Sequence, residues 1–202
     1  MKIESGTGNG KWVGVDGDNR LRVVAKSDAA QHVIASEENK TFQIWGTATL
    51  ANGTVTPLTV KNTSTTQEVV VTYIRWQLLD VVDGASGAIP NASNYMQVGY
   101  DTEYVSGGTA VSEANMTAGS NNVANIQAYN NNPVMTGDEG LTNNLITVFD
   151  RHYPKAEGDM YSFNKEGAAI VLPGQSITFQ YVGDKTDGTV YVRLSFYSTD
   201  IG

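Results

Sequence analysis

One stretch constrains the fold more than any other. Residues 68–80 read Glu-Val-Val-Val-Thr-Tyr-Ile-Arg-Trp-Gln-Leu-Leu-Asp, the longest β-favouring run in the chain. Val70, Thr72, Ile74, Trp76 and Leu78 share one face at period two, and Val69, Val71, Tyr73, Arg75 and Gln77 share the other. The first set is nearly all apolar; the second starts apolar and turns polar after Tyr73. β-Branched and aromatic side chains suit a pleated, half-buried surface, and the polar positions interrupt the spacing a helix would need. The run is expected to be a central strand whose even-numbered face covers the core of a two-sheet sandwich.

Shorter runs of the same kind recur along the chain. Residues 41–45 and 47–50 alternate in strand fashion around Gly46, which is expected to mark a bulge or bend. Asn52-Gly53 is a strong turn dipeptide, 57–62 supply a further strand, and 62–67 a polar turn. Beyond the central run, strands are expected at 95–100, 145–149, 168–172, 176–182 and 189–197, with turns at Pro173-Gly174 and 183–188. About eight strands punctuated in this way fit an all-β fold, a jelly-roll-like antiparallel β-sandwich. Residues 83–140 break the regularity and read as a long insertion, of the kind that faces a partner or solvent. Within it, 121–129 is expected to form a short helix.

The first 26 residues differ in kind. Gly6, Gly8 and Gly10 loosen the opening, and two apolar runs, 11–15 and 21–25, flank the cluster Asp16-Gly17-Asp18-Asn19-Arg20 as in a hairpin. This segment carries a net charge of +2, whereas 27–202 carry −10. The division is therefore an extended N-terminal arm at 1–26 and a sandwich body at 27–202. A basic arm on an acidic body suits docking on a neighbouring subunit, and Lys11, Trp12, Arg20 and Arg22 are the candidate contacts. An ordinary terminal hairpin is the plainer account of the same letters.

Composition narrows the function classes. With 202 residues, the chain can bury one substantial core. A net charge of −8 disfavours nucleic acid, which needs clustered Lys and Arg. Without cysteine there is no disulfide, thiolate metal site or cysteine nucleophile. No apolar run approaches the roughly 20 residues that cross a bilayer, and the opening residues lack the apolar core of a secretory signal. Membrane partners are not expected, and folding in a reducing cytoplasm is.

Little in the sequence looks catalytic. Phe149-Asp150-Arg151-His152-Tyr153-Pro154 places Asp150 and His152 on one face, so a general-base pair is conceivable. No nucleophile is placed beside them, and a polar strand end before a proline explains the same residues. Asp16-Gly17-Asp18-Asn19 resembles half a calcium loop, but its twelfth position is Ser27 rather than a bidentate carboxylate. Gly6-Thr7-Gly8-Asn9-Gly10 lacks the lysine of a phosphate loop. No enzyme activity, cofactor or metal is expected. Among the aromatics, Trp45 and Trp76 lie in strand patterns and are assigned to the core. Tyr95, Tyr100, Tyr104 and Tyr129 remain as candidates for stacking on a sugar.

Both ends of the chain resemble a family of virion structural proteins of tailed bacteriophages. The resemblance lies in Ile3-Glu4-Ser5-Gly6-Thr7-Gly8-Asn9-Gly10 and Val15-Asp16-Gly17-Asp18-Asn19-Arg20-Leu21, and in Val60-Lys61-Asn62 before the central strand. It continues in Ala169-Ile170-Val171-Leu172-Pro173-Gly174-Gln175-Ser176 and Asp187-Gly188-Thr189-Val190-Tyr191-Val192. It is weak over 83–165. The resemblance implies a β-sandwich capsid decoration or cement protein, a homo-oligomer, often a trimer, on the capsid exterior. The major capsid protein would be its partner, and the N-terminal segment its linking arm. Related proteins on tails or head fibres provide the alternative, a receptor- or carbohydrate-binding module.

Overall fold

The computed structural model describes residues 39–79, 94–100, 102–137, 147–154 and 160–201, together with short strands at 3–4, 12–15 and 21–22. It divides the chain into two compact units, Met1–Val33 and Ile34–Gly202. In the first, β1 (Ile3–Glu4), β2 (Trp12–Val15) and β3 (Leu21–Arg22) form an antiparallel sheet in the order β1-β2-β3. Val15 faces Leu21 across the β2–β3 pair.

The second unit is all-β among the described residues. Its strands are β4 (Thr41–Thr49), β5 (Gly53–Asn62), β6 (Gln67–Leu79), β7 (Tyr95–Tyr100), β8 (Thr102–Ser106), β9 (Thr109–Val111) and β10 (Ala114–Asn115). They continue with β11 (Ile126–Asn130), β12 (Val134–Gly137), β13 (Thr147–His152), β14 (Met160–Val171), β15 (Ser176–Gly183) and β16 (Thr189–Asp200). One sheet has the order β10-β4-β16-β6-β14, the other β13-β7-β15-β5-β11-β9, and β12 pairs with β8 alone. The two large antiparallel sheets pack face to face as a β-sandwich. The strands at 41–49, 95–100, 176–183 and 189–200 lie where the alternation places them, and the strand expected at 57–62 begins earlier, at Gly53.

The core is built from the inner faces of both sheets. Phe42, Ile44, Ile74, Trp76, Leu78, Val192, Leu194 and Phe196 come from the first, and Leu58, Val60, Met96, Val98, Ile177, Phe179 and Tyr181 from the second. Trp76 meets Phe179 edge to face across the sandwich, with ring centroids 5.3 Å apart. The quadrupole of an aromatic ring favours this arrangement over a face-to-face one.

The central strand changes face part-way along, which accounts for its odd pattern. Ser195 faces Tyr73 but Phe196 faces Val71, so Thr72 is the extra residue of a bulge. Before it the odd residues Val69 and Val71 are buried; after it the even residues Ile74, Trp76 and Leu78 are. A straight strand would turn Val69 and Val71 away from the core, forfeiting about 1.5–3 kcal/mol each. The bulge disrupts roughly one ladder bond of about 1 kcal/mol, and the Thr72 hydroxyl donates to the Ser195 carbonyl at 3.0 Å. Burial wins.

Two further sequence expectations are corrected. Gly46 marks no bulge: β4 stays in continuous register with β16 from Thr41 to Thr49. It is small because β4 passes close to β5, and a Cβ there would overlap the Pro57 carbonyl oxygen and Leu58 Cβ. The helix expected at 121–129 is not formed; Ile126–Asn130 is instead strand β11, hydrogen-bonded between β5 and β9. The open edge of β5 offers ladder bonds that outweigh the local preference of an Asn- and Ala-rich stretch. In the irregular segment as a whole, residues 102–137 form five strands. β9 and β11 extend the second sheet, and β10 extends the first. Residues 83–93, 101 and 138–140 of the expected insertion lie outside the described residues.

A buried asparagine ties one end of the sandwich together. Asn62, 1% exposed, donates from Nδ2 to the carbonyls of Gln67 (2.8 Å) and Val171 (2.9 Å). Its Oδ1 accepts from the Ser64 amide at 3.0 Å. Its backbone N–H donates to the Gln175 carbonyl, and its own carbonyl accepts from the Gly174 amide, both at 2.9 Å. One residue thus links the β5–β6 turn to the β14–β15 turn, where Gly174 takes a positive φ of 79°.

Candidate functional site

Alternation fixes what the outer face of the first sheet presents. In β4 the residues that alternate with Phe42, Ile44 and Ala48 are Gln43, Trp45 and Thr47. In β16 Tyr191, Arg193 and Ser195 alternate with Val190, Val192 and Leu194, and in β6 Tyr73, Arg75 and Gln77 follow the bulge. The register aligns these sets across three strands. Arg193 lies directly opposite both Trp45 and Arg75, and Tyr191 opposite Thr47 and Gln77.

The outcome is a hollow of about 160 Å³ lined by Trp45, Arg75, Gln77, Tyr191 and Arg193 together with Trp76 and Val192. Trp45 is 49% exposed and Tyr191 40%. This corrects the core assignment of Trp45, whereas Trp76 is buried at 1%. The signal was present in the sequence, because Trp45 has the parity of Gln43 and Thr47 rather than of Phe42 and Ile44. That Arg75, Gln77, Tyr191 and Arg193 converge beside it depends on cross-strand register, which alternation within one strand does not reveal.

The electrostatics of the hollow are unusual. Like charges directly opposite each other in an antiparallel pair are destabilising, yet Arg75 and Arg193 face one another. Among the described residues neither forms an ion pair. Arg193 is held on one side by Gln43, whose amide, turned with its oxygen toward the guanidinium, accepts from Nε and Nη2. Turned this way, the oxygen also accepts from the Ser195 hydroxyl at 3.1 Å. The Arg193 guanidinium carbon lies 6.0 Å from the centroid of the Tyr73 ring.

Of the residues singled out from the sequence, the four tyrosines do not line the hollow. Of the arm candidates, Trp12 sits opposite Glu4 and Arg22 opposite Gly14 in the small N-terminal sheet. Lys11 and Arg20 lie outside the described residues. The four tyrosines do not gather into one group. Tyr104 and Tyr129 stack on each other with centroids 3.6 Å apart. Tyr100 is stacked on Phe149 at 4.6 Å, and burial pushes its hydroxyl pKa upward. Tyr95 packs against Tyr153 with Arg151 over its ring at 4.3 Å. Arg151 also donates to Gln97 Oε1 at 3.1 Å, and Gln97 donates to Gln180 at 2.9 Å.

Asp150 and His152 do share a face of β13, as alternation requires. His152 stacks on Tyr161 of β14 with centroids 3.9 Å apart. Trp76, Met96, Val98 and Phe163 complete their surroundings, which leave no cavity of water size. Burial raises the Tyr161 pKa, and the negative charge of Asp150 raises it further. The group closes the edge between the two sheets. Among the described residues no set of three or more His, Cys, Asp or Glu side chains could hold a metal ion.

No model of a known protein family matches this chain, and no curated protein matches it.

Proposed function

We propose that this chain is a non-enzymatic structural protein of a tailed-bacteriophage virion, a capsid decoration or cement protein that acts as a homo-oligomer on the outside of the head. Support comes first from the strand order. β4-β16-β6-β14 faces β13-β7-β15-β5, and the chain alternates between the two sheets from β4 through β7 and again from β13 through β16. That interleaving supports reading the sandwich as the double Greek key of a jelly roll, an architecture shared by viral capsid proteins and lectins. The sequence resemblance at both ends points to the capsid class, and Asp150 and His152 serve as packing residues at a sheet edge.

The mechanism is mechanical. A protein that binds across several capsid subunits stabilises the assembled shell by linkage, since only the assembled shell offers the full contact. Trimerisation adds avidity without any strong single contact. The N-terminal unit is compact in its own right, and it is the proposed link to the major capsid protein or to a neighbouring subunit, with Lys11, Trp12, Arg20 and Arg22 as contacts. Removing residues 1–10 and adding Trp12→Ala should weaken binding to capsids while the body keeps its unfolding midpoint. Saturation of capsids at an unchanged protein concentration would rule the arm out.

A second reading, receptor or carbohydrate binding on the tail or a head fibre, is favoured by the hollow on the first sheet. It predicts saturable glycan binding by the isolated protein, which a pure cement protein lacks.

A further inference from the structure

The arginine pair in the hollow calls for a physical reason. Placing two guanidinium groups opposite each other costs stability, and a glutamine or threonine at either position would fit the outer face of a strand equally well. The cost is offset once an anion lies between them, because charge-assisted hydrogen bonds to a carboxylate are about twice as strong as neutral ones. Gln43 already fixes Arg193 in place, so little side-chain freedom remains to be lost when a ligand arrives.

The flanking residues specify more than an anion. Trp45 and Tyr191 are diagonal neighbours across the β4–β16 ladder, a separation of roughly 7–8 Å within reach of large side chains. Both are substantially exposed. An exposed ring offers a flat apolar face to the C–H face of a pyranose, and Gln77 supplies an amide for ring hydroxyls. At about 160 Å³ the hollow is smaller than the roughly 300–1,000 Å³ of a drug-sized pocket, so it fits a single ring with its substituent. The net charge of −10 on residues 27–202 repels extended polyanions and favours one localised negative charge.

We infer that the hollow formed by Trp45, Arg75, Gln77, Tyr191 and Arg193 binds a carboxylate-bearing pyranose, of the uronic-acid or sialic-acid type, with the carboxylate between the two arginines and the ring against Trp45. This deepens the carbohydrate reading above and is independent of where on a particle the chain sits.

The test uses the full chain, with binding followed by calorimetry and by tryptophan fluorescence. The probes are an oligogalacturonide, sialyllactose, lactose, inorganic phosphate and inorganic sulfate. One of the two carboxylated sugars binds saturably, and which one it is separates the two sources. Arg75→Gln weakens that binding by about tenfold or more, and Trp45→Ala weakens it while Trp45→Phe retains most of it. Arg75→Gln also leaves the unfolding temperature unchanged or raises it, because it relieves the like-charge contact. A purely structural arginine would lower it. Lactose binding as tightly as the charged sugars would keep a carbohydrate site but overturn the acidic ligand. Phosphate or sulfate binding that is insensitive to Trp45→Ala would reduce the hollow to an anion site. No binding of either carboxylated sugar at millimolar concentration, or binding that survives both Arg75→Gln and Trp45→Ala, would overturn the inference.

Discussion

Replacing Asn62 by alanine should be among the most damaging single changes outside the apolar core. The side chain makes three hydrogen bonds at 2.8–3.0 Å from a site only 1% exposed. Each is worth about 1 kcal/mol net, and every partner left buried without a replacement adds about 1–3 kcal/mol. The carbonyls of Gln67 and Val171 lie in strands that provide other contacts, so the loss should fall near 3 kcal/mol rather than at the top of that range. For a chain of this size that lowers the unfolding temperature by roughly 6–12 °C. Equilibrium urea unfolding followed by far-ultraviolet circular dichroism measures it. Asn62→Asp provides the control. It keeps the acceptor for Ser64 but turns a carboxylate oxygen toward two carbonyls, so at neutral pH it should be no better than alanine, and acid should restore part of the loss. A loss below about 1 kcal/mol for Asn62→Ala, or an aspartate variant as stable as the parent, would refute the clamp.

Other perturbations test other parts of the account. Gly46→Ala should cost about 1–3 kcal/mol through overpacking, since β5 backbone occupies the space the methyl needs; an unchanged urea midpoint would contradict the close approach of β4 and β5. Burial, reinforced by the charge of Asp184, pushes the Tyr181 pKa up to about 12 from the ordinary 10.0. Its contribution to stability is therefore complete below pH 10 and lost as pH rises through 12, an effect on the order of 2 kcal/mol. Tyr181→Phe breaks the 2.8 Å bond to Asn94 Oδ1, costing about 1 kcal/mol at neutral pH, but its stability should fall less steeply than the parent's above pH 10. Equal alkaline slopes would show that Tyr181 does not carry the effect. Thr72→Val should lower stability by removing the bond to Ser195 while leaving the strand content unchanged; a stabilised variant would argue against the bulge's hydroxyl anchor.

How far the sequence reached depended on which interaction decided each feature. The strands at 41–49, 176–183 and 189–200 were legible because apolar residues alternate with polar ones along them, even though 176–183 is buried on both faces. The central strand was legible as a strand, but not its change of face. Val69, Val71 and Ile74 are all apolar, and only the partner strand reveals that Thr72 is the extra residue. Gly46 looked like a bend because glycine's local meaning is conformational, whereas here its use is steric and is set by β5. The hidden strand at Ile126–Asn130 has the composition of a loop and is recruited by an open edge. The hollow was half legible: Trp45 carried the parity of an outward residue, but the pairing of Arg75 with Arg193 exists only once β6 and β16 are in register.

The measurement that bears most directly on the proposed function is binding of the purified full chain to expanded, otherwise undecorated phage heads, with the oligomeric mass taken by light scattering in the same buffer. Saturable, stoichiometric binding by a trimer and a higher melting temperature for the decorated shell are the expected results. A monomer that neither binds heads nor changes their melting would contradict it.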